Sequence, residues 1–304
     1  MLRRTPTPLL AALLLAIPAP AAPAAAPGAV DNVRERILRM TDFLDTVLPG
    51  VLAPDNMTLQ LRPKLGDLRD YEYLRFPAVV RYGLTEQWEL LGGLMPFTPN
   101  PINRGREHRW GPGEAKLGAR YDVGRTFGFF DDTTVGFEAR IPLGHPPVTI
   151  NDHYTHLKPF VTAARTLRGW PATTLYFNFS YDRSVDLTHR TPVPQGPERR
   201  NIIEGAPGLL YKPGEFGWFV ESRVRHIRND AGHHLAHEFQ LGSIWDVPLA
   251  RTGRWGLPGK WQAELAYRVG HEEGRGHDTG FSARVNWRTT LREVLNHRRA
   301  VRTR

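Results

Sequence analysis

The chain contains no cysteine, which excludes disulfides, thiolate metal sites and a cysteine nucleophile. That absence fits an oxidising compartment without selecting one. Long apolar runs are also missing. Only 40% of residues are hydrophobic and 23% are charged. Beyond residue 30 nothing approaches the roughly 18 apolar residues of a membrane-crossing helix. A helical membrane protein is therefore excluded, and a membrane form of this chain has to be a closed barrel, the other structure that satisfies every backbone group in lipid. Catalytic signatures are lacking as well: there is no P-loop, no dinucleotide fingerprint and no G-x-S-x-G. His226, His233, His234 and His237 crowd into HIRNDAGHHLAH. With no cysteine and no H-E-x-x-H spacing, they read as a polar extracellular hairpin loop rather than a metal site. The sequence assigns no catalytic residue, no metal and no cofactor. A barrel enzyme using Ser180 or Ser222 with a nearby histidine stays open as an alternative.

The first 26 residues have the form of a cleavable signal peptide. Arg3 and Arg4 precede an apolar run from Leu9 to Ile17, and small residues from Ala19 to Ala26 offer several A-x-A cleavage sites. A second unit is expected over 27–55, an amphipathic helix and linker. Val33, Ile37, Leu44 and Leu48 recur near helical spacing within 31–48, Asp31 or Asn32 can cap the start, and Pro49-Gly50 ends it. Its apolar stripe has to be covered. A polar lumen offers little for it to pack on, so the expected place is the periplasmic rim rather than the barrel interior.

Residues 56–290 read as strand and turn. Apolar and polar residues alternate in WQAELAYRV (261–269), FSARVNWR (281–288) and TVGFEARI (134–141), with Gly, Pro, Asn and Asp clusters between such runs. Strands are expected near 57–63, 71–82, 87–95, 114–123, 133–142, 156–166, 173–182, 201–211, 215–227, 235–246, 259–269 and 279–288. The fold class is thus all-β, an antiparallel up-and-down transmembrane barrel of about 12 strands with a short N-terminal helix. Pro77, Pro159 and Pro207 fall inside expected strands, each at the loss of one ladder hydrogen bond. A basic tail, 291–304, follows.

Connections on one side are mostly short, as in GLTEQ, KPG and Leu167–Ala172, with Pro248–Pro258 the exception. On the other side they are mostly longer and polar, including 96–113, 143–154 and 183–200. Outer-membrane barrels have this asymmetry, with short periplasmic turns. Tyr82, Trp88, Tyr121, Tyr211, Trp218, Trp245, Trp261 and Trp287 all fall near the short-turn ends, where amphipathic rings favour a membrane–water interface. On the face opposite the apolar one, Lys116, Arg120, Glu138, Arg140, Glu221, Arg223, Arg225, Glu264, Arg268 and Arg284, with Arg288, are expected to line a wide lumen as a candidate permeation wall. Arginine outnumbers glutamate among them, so the wall reads as net basic.

VVRYGLTEQWELLGGLMPF (79–97), GPGEAKLGARYDV (111–123) and TVGFEARIPLG (134–144) together give a pattern. A strand ends in R-Y-G-L-T, a polar turn leads to a W-E-L strand, and a Gly-rich stretch enters a strand of L-G-A-R-Y type. This pattern resembles the phenol meta-degradation-pathway family of outer-membrane proteins. The resemblance implies an outer-membrane barrel and a role in passage of small, often aromatic, compounds. The chain departs from many such barrels in lacking a terminal aromatic residue.

The net charge of +9 raises nucleic acid as a partner. No aromatic–basic module supports it, and about four of those charges come from residues 289–304, where five arginines face one glutamate. The expected partners are outer-membrane lipid and a small-molecule solute. The leading function is a channel or transporter for small, aromatic or anionic molecules. The alternatives are a structural or adhesive barrel plugged by its N-terminal helix or loops, and a barrel enzyme.

Overall fold

The alternation read from the sequence closes on itself. In the computed structural model, which describes residues 46–63, 73–102, 110–126, 128–144, 152–186, 200–229, 232–252, 259–273 and 276–294, twelve antiparallel strands form one closed barrel. They are β1 (Asn56–Leu61), β3 (Ala78–Gly83), β4 (Trp88–Leu94), β6 (Glu114–Asp122), β7 (Asp132–Pro142) and β8 (Thr155–Leu167). The ring continues through β9 (Trp170–Val185), β10 (Asn201–Tyr211), β11 (Phe216–Asn229), β12 (Gly232–Val247), β13 (Lys260–Glu272) and β14 (Gly276–Thr290). Closure comes from β1, which pairs with β14 from Asn56↔Thr290 to Leu61↔Val285 and with β3 from Met57↔Tyr82 to Leu61↔Ala78. Each barrel strand is thereby paired on both sides, which removes the exposed edges of an open sheet.

Two short strands, β2 (Tyr73–Arg75) and β5 (Phe97–Pro99), pair outside the ring. The strand expected over 71–82 is therefore two pieces. Pro77 lies at the break between β2 and β3 and Pro96 at the matching break between β4 and β5. Lacking N–H groups, both prolines interrupt the ladder, and the hairpin resumes beyond them around the Tyr73–Phe97 edge contact. Pro159 and Pro207 stay inside strands, but each keeps its full ladder on one side only. Beside Pro159 the β7 register is continuous while the β8–β9 register skips from Leu157↔Arg183 to Phe160↔Ser180. Beside Pro207 the β9 register is continuous while the β10–β11 register skips from Gly205↔Val224 to Gly208↔Glu221.

The wall is uneven. β1 and β3 have 6 residues each and β4 has 7, whereas β9 and β12 have 16. The long strands absorb residues that the sequence assigned to loops. β11 runs to Asn229 and β12 begins at Gly232, so His233 and His234, which fall between the expected strands 215–227 and 235–246, sit on a strand like His226 and His237. The expected Pro248–Pro258 connection contains one short helix, α1 (Leu249–Thr252).

Side chains sort cleanly by face. Leu90, Leu117, Val135, Phe137, Phe177, Phe179, Leu209, Phe239, Leu241, Leu265, Tyr267, Phe281 and Val285 are exposed on the outside, while Gln60, Arg81, Glu89, Arg120, Asn178, Glu221, Gln240, Glu264 and Arg284 are buried inside. That is the reverse of a water-soluble barrel and matches the apolar-out, polar-in pattern of barrels that face lipid. Near the end where the chain enters β1, called here the proximal end, Trp88 packs on Tyr121, Trp261 stacks on Trp287 and Phe216 meets Trp218.

Inside, three aromatic rings lie over glycines directly opposite on the neighbouring strand: Phe160 over Gly136, Tyr176 over Gly208 and Phe219 over Gly242. A Cβ at those glycines would fall within 2.1–2.4 Å of the ring. Glycine is therefore required for the rings to lie flat against the wall.

Candidate functional site

The site is the barrel interior, and its main occupant is the chain itself. Residues 46–52 run through the lumen without helix and with a bend at Pro49-Gly50, and Thr46, Val47, Leu48, Val51 and Leu52 are all buried. Leu52 N–H donates to Glu89 Oε2 on β4 at 2.9 Å, and Gly50 N–H to Thr134 Oγ1 on β7 at 2.6 Å. The Val47 carbonyl accepts from Thr162 on β8 at 2.9 Å and from Asn178 on β9 at 3.2 Å. Arg223 on β11 donates to the Thr46 hydroxyl at 2.9 Å. Around the ring β4 and β11 are six places apart among twelve, so this strap crosses the lumen from one wall to the opposite one.

This bears on the last three residues of the helix expected over 31–48. Residues 31–45 lie outside the described residues, but 46–48 are extended rather than helical and occupy the interior rather than the rim. The physical reason is an apolar pocket on the inner wall. Leu48 packs with Ala164, Tyr176, Leu210, Phe219, Ile244 and Ala266. The Val47 carbonyl and the Gly50 and Leu52 N–H groups of the strap are matched by wall side chains, as burial demands.

All ten residues expected on the inner wall are buried or half-buried. Arg120 lies 3.7 Å from Glu89 and beneath the Phe160 ring. Lys116 pairs with Glu138 at 2.7 Å. Arg140 binds Asp182, and His156 bridges Asp182 at 2.8 Å to Asp152 at 2.9 Å. Arg223 holds Glu221 at 2.9 Å, while Tyr176 donates to the other Glu221 oxygen at 3.2 Å. Glu238 gathers Arg223, Arg225 and Arg268 at 3.4, 3.6 and 3.8 Å. Arg284, 0% exposed, holds Glu264 through two nitrogens at 3.1 and 2.5 Å, and Asn286 donates to the same carboxylate at 3.0 Å.

The structure adds partners that the sequence reading missed. Glu89, Asp182, Glu204 and Glu238 are inward carboxylates, and Arg81 and Lys158 inward cations. Glu89 and Glu238 share the inward parity of their strands, whereas Arg81 lies on the expected strand 71–82, which alternates poorly. Glu204 lies on NIIEGAPGLLY, which alternates poorly. With these acids included, the interior is much closer to charge balance than the arginine count alone suggests. Taking one charge from such a pair would strand its partner in a low dielectric. At the loop position Asp152, burial by itself would raise the carboxyl, but hydrogen bonds and charge from His156, with further help from Tyr154 N–H and Arg140, hold it below its ordinary range.

Beside the strap lies a cavity of about 340 Å³, lined by Val47, by Pro77, Val79, Leu91 and Met95 on the low wall, and by charged side chains elsewhere. Those charges are six cations (Arg62, Lys116, Arg140, Lys158, Arg223, Arg225) against four carboxylates (Glu114, Glu138, Asp182, Glu204). A smaller cavity of about 240 Å³, lined by Asp246, Lys260, Trp261 and Arg288, opens at the proximal end. Neither serine considered as a nucleophile is activated. Ser222 faces outward, Ser180 Oγ has no hydrogen-bond partner, and both ring nitrogens of His156 are occupied by carboxylates. Among the described residues no cluster of His, Asp or Glu could hold a metal ion.

No family model and no curated protein matches this chain. Solved structures that resemble it are membrane barrels. The NanC porin aligns over 77% of this chain and 98% of its own with 13% identity and a TM-score of 0.45. An outer membrane channel from Pseudomonas putida F1 aligns over 78% and 94% with 9% identity and a TM-score of 0.48. A bacterial polysaccharide outer membrane secretin aligns over 78% and 98% with 11% identity and a TM-score of 0.38. At these values the likeness is one of barrel architecture alone.

Proposed function

We propose that this protein is an outer-membrane channel for small solutes whose pathway is narrowed by its own Thr46–Leu52 strap. The observation that carries the reading is the strap crossing a polar, ion-paired lumen beside a charge-lined cavity of about 340 Å³. A barrel with only a structural task has no need of a cavity of this size lined by ten ionisable groups. The apolar exterior supplies the lipid contact, and the signal-like segment over 1–26 the route of export. The ten inward residues from Lys116 to Arg284 then form the wall that a solute passes, with no nucleic acid and no cofactor involved. The motif resemblance to the phenol meta-degradation family favours compact organic molecules as the solutes.

Planar-bilayer recording tests this directly. The full chain should give small, discrete conductance steps, and a chain lacking everything up to Leu52 should give steps several-fold larger. A second reading, a closed structural barrel, draws on the same strap and on the density of inner ion pairs. Silence from both chains, with insertion verified, would favour that reading and remove the channel.

A further inference from the structure

The proximal end carries a girdle of aromatic rings, and the opposite end carries histidine instead. On the outer face of the three neighbouring strands β12, β13 and β14, His237 stands opposite His271, and His271 opposite His277. The His271 and His277 rings are 4.6 Å apart, and a second pair, His226 and His233, lies at 5.7 Å on β11 and β12. All five are exposed. No described residue engages His237, His271 or His277 by a hydrogen bond or ion pair.

Height in the wall gives this row its meaning. From Trp261, in the aromatic girdle, to His271 is ten positions along β13. At about 3.3 Å per residue that is roughly 33 Å of strand, and a tilt of about 40° reduces it to roughly 25 Å of vertical rise. That equals the height of the apolar band of a membrane barrel. Between the two levels the outer face is Ala263, Leu265, Tyr267 and Val269 on β13 and Thr279, Phe281, Ala283 and Val285 on β14, apolar but for Thr279 next to the row. The row therefore sits at the second interface, at the depth of lipid phosphates. The charged or titratable outward neighbours described at this level are His226 and Arg228 on β11, His233 on β12, and Glu273 just past β13, whose Oε2 accepts from Leu235 N–H at 3.4 Å. Cationic groups thus outnumber acidic ones once the imidazoles are protonated.

We propose that His237, His271 and His277 form a proton-dependent binding site for the phosphate of anionic lipid headgroups. The site rests on the membrane reading above but not on any solute passing the lumen. Two imidazoles in ring contact repel each other when both are charged, and an anion lying across them turns that repulsion into a shared attraction. An imidazole becomes a cation by taking up one proton, so the contact is made by the protonated row and lost by the neutral one.

The test is electron paramagnetic resonance of the full chain in phosphatidylcholine bilayers, comparing spin-labelled phosphatidylglycerol with spin-labelled phosphatidylcholine at the protein surface. Phosphatidylglycerol keeps its single charge between about pH 5.5 and about pH 8, so a pH effect has to come from the protein. Each surface cation favours anionic lipid by about five-fold, but the row occupies three of twelve strands. The averaged preference should therefore be about two-fold higher at the lower pH. In the variant carrying His237→Gln, His271→Gln and His277→Gln, with folding checked by heat-dependent gel migration, the rise should vanish. A preference that ignores pH, or that survives in the variant, overturns the proposal. Loss of the preference on adding excess inorganic phosphate would assign the row to free phosphate and overturn the lipid assignment. Absence of motionally restricted lipid of either kind would instead overturn the membrane reading itself.

Discussion

The backbone N–H of Leu52 and the guanidinium of Arg81 share one carboxylate, that of Glu89. Leu52 N lies 2.9 Å from Oε2, and Arg81 reaches Oε1 at 2.5 Å and Oε2 at 2.8 Å. All three groups are buried, so a single acidic side chain both neutralises an arginine on the next strand and fastens the strap to the wall. Replacing Glu89 by Ala should cost about 3–5 kcal/mol, because Arg81 and Arg120 lose a buried carboxylate partner. Glu89→Gln keeps an acceptor for Leu52 and should cost less. Urea unfolding of the barrel in a bilayer measures both, and equal stability of Glu89→Ala and the parent would contradict the role assigned to this carboxylate.

The outer face gives a second prediction. Leu265 is 50% exposed, and its strand neighbours Glu264 and Ala266 are buried. With its side chain in lipid, Leu265→Arg should lose about 2–4 kcal/mol if it sits near the midplane. The same substitution on a water-facing surface costs almost nothing. A harmless Leu265→Arg, together with Glu264→Leu that fails to fold, would mean the wall is inverted with respect to solvent.

Most of the barrel was legible because lipid on one side and polar groups on the other enforce a period of two. WQAELAYRV and FSARVNWR lie in β13 and β14 with the faces that alternation assigns them. Legibility failed where a different force decides. β2 and β5 are set by proline interrupting the ladder at Pro77 and Pro96, which alternation does not register. His233 and His234 read as loop because polar residues at the strand ends, beyond the apolar band, have the composition of a loop. The strap was the largest omission. Val33, Ile37, Leu44 and Leu48 suggest a helix by spacing, whereas Leu48 belongs to the strap and packs into an inner pocket built from Ala164, Tyr176 and Phe219, residues far away in sequence. No local pattern encodes a contact that only barrel closure creates. The acidic partners were missed similarly: Glu204 lies on a poorly alternating strand, so the inner wall looked more basic than it is.

A third prediction concerns ion selectivity. The cavity lining retains more cations than carboxylates, and a narrow low-dielectric passage magnifies a small excess of charge. Reversal potentials in a salt gradient should show a modest anion preference. Arg225→Glu should abolish or invert it, since Arg225 lines the cavity and its side chain is 30% exposed. Clear cation selectivity in the parent, unchanged by Arg225→Glu, would show that the pathway does not run past these groups.

The last prediction isolates the strap without touching a charge. Gly83, on β3, faces the point where the strap leaves the lumen to become β1. A Cβ placed there would lie 2.1 Å from the Ala53 carbonyl oxygen and 2.4 Å from that of Leu52. Both neighbours are backbone, so neither can move aside by changing a rotamer. Gly83→Ala therefore has to displace the strap or the strand. The strand is fixed by its ladders to β1 and β4, whereas the chain leaving the strap is held at this point by single hydrogen bonds, Leu52 N–H to Glu89 at 2.9 Å and Asp55 N–H to the Gly83 carbonyl at 3.0 Å. The strap should yield, at a cost of about 1–3 kcal/mol typical of overpacking. Conductance should rise toward that of the chain lacking everything up to Leu52, while the anion preference stays, because every lining charge remains. If Gly83→Ala lowers stability yet leaves conductance at the parental level, the strap does not limit the passage, and the constriction has to be sought among the inner ion pairs.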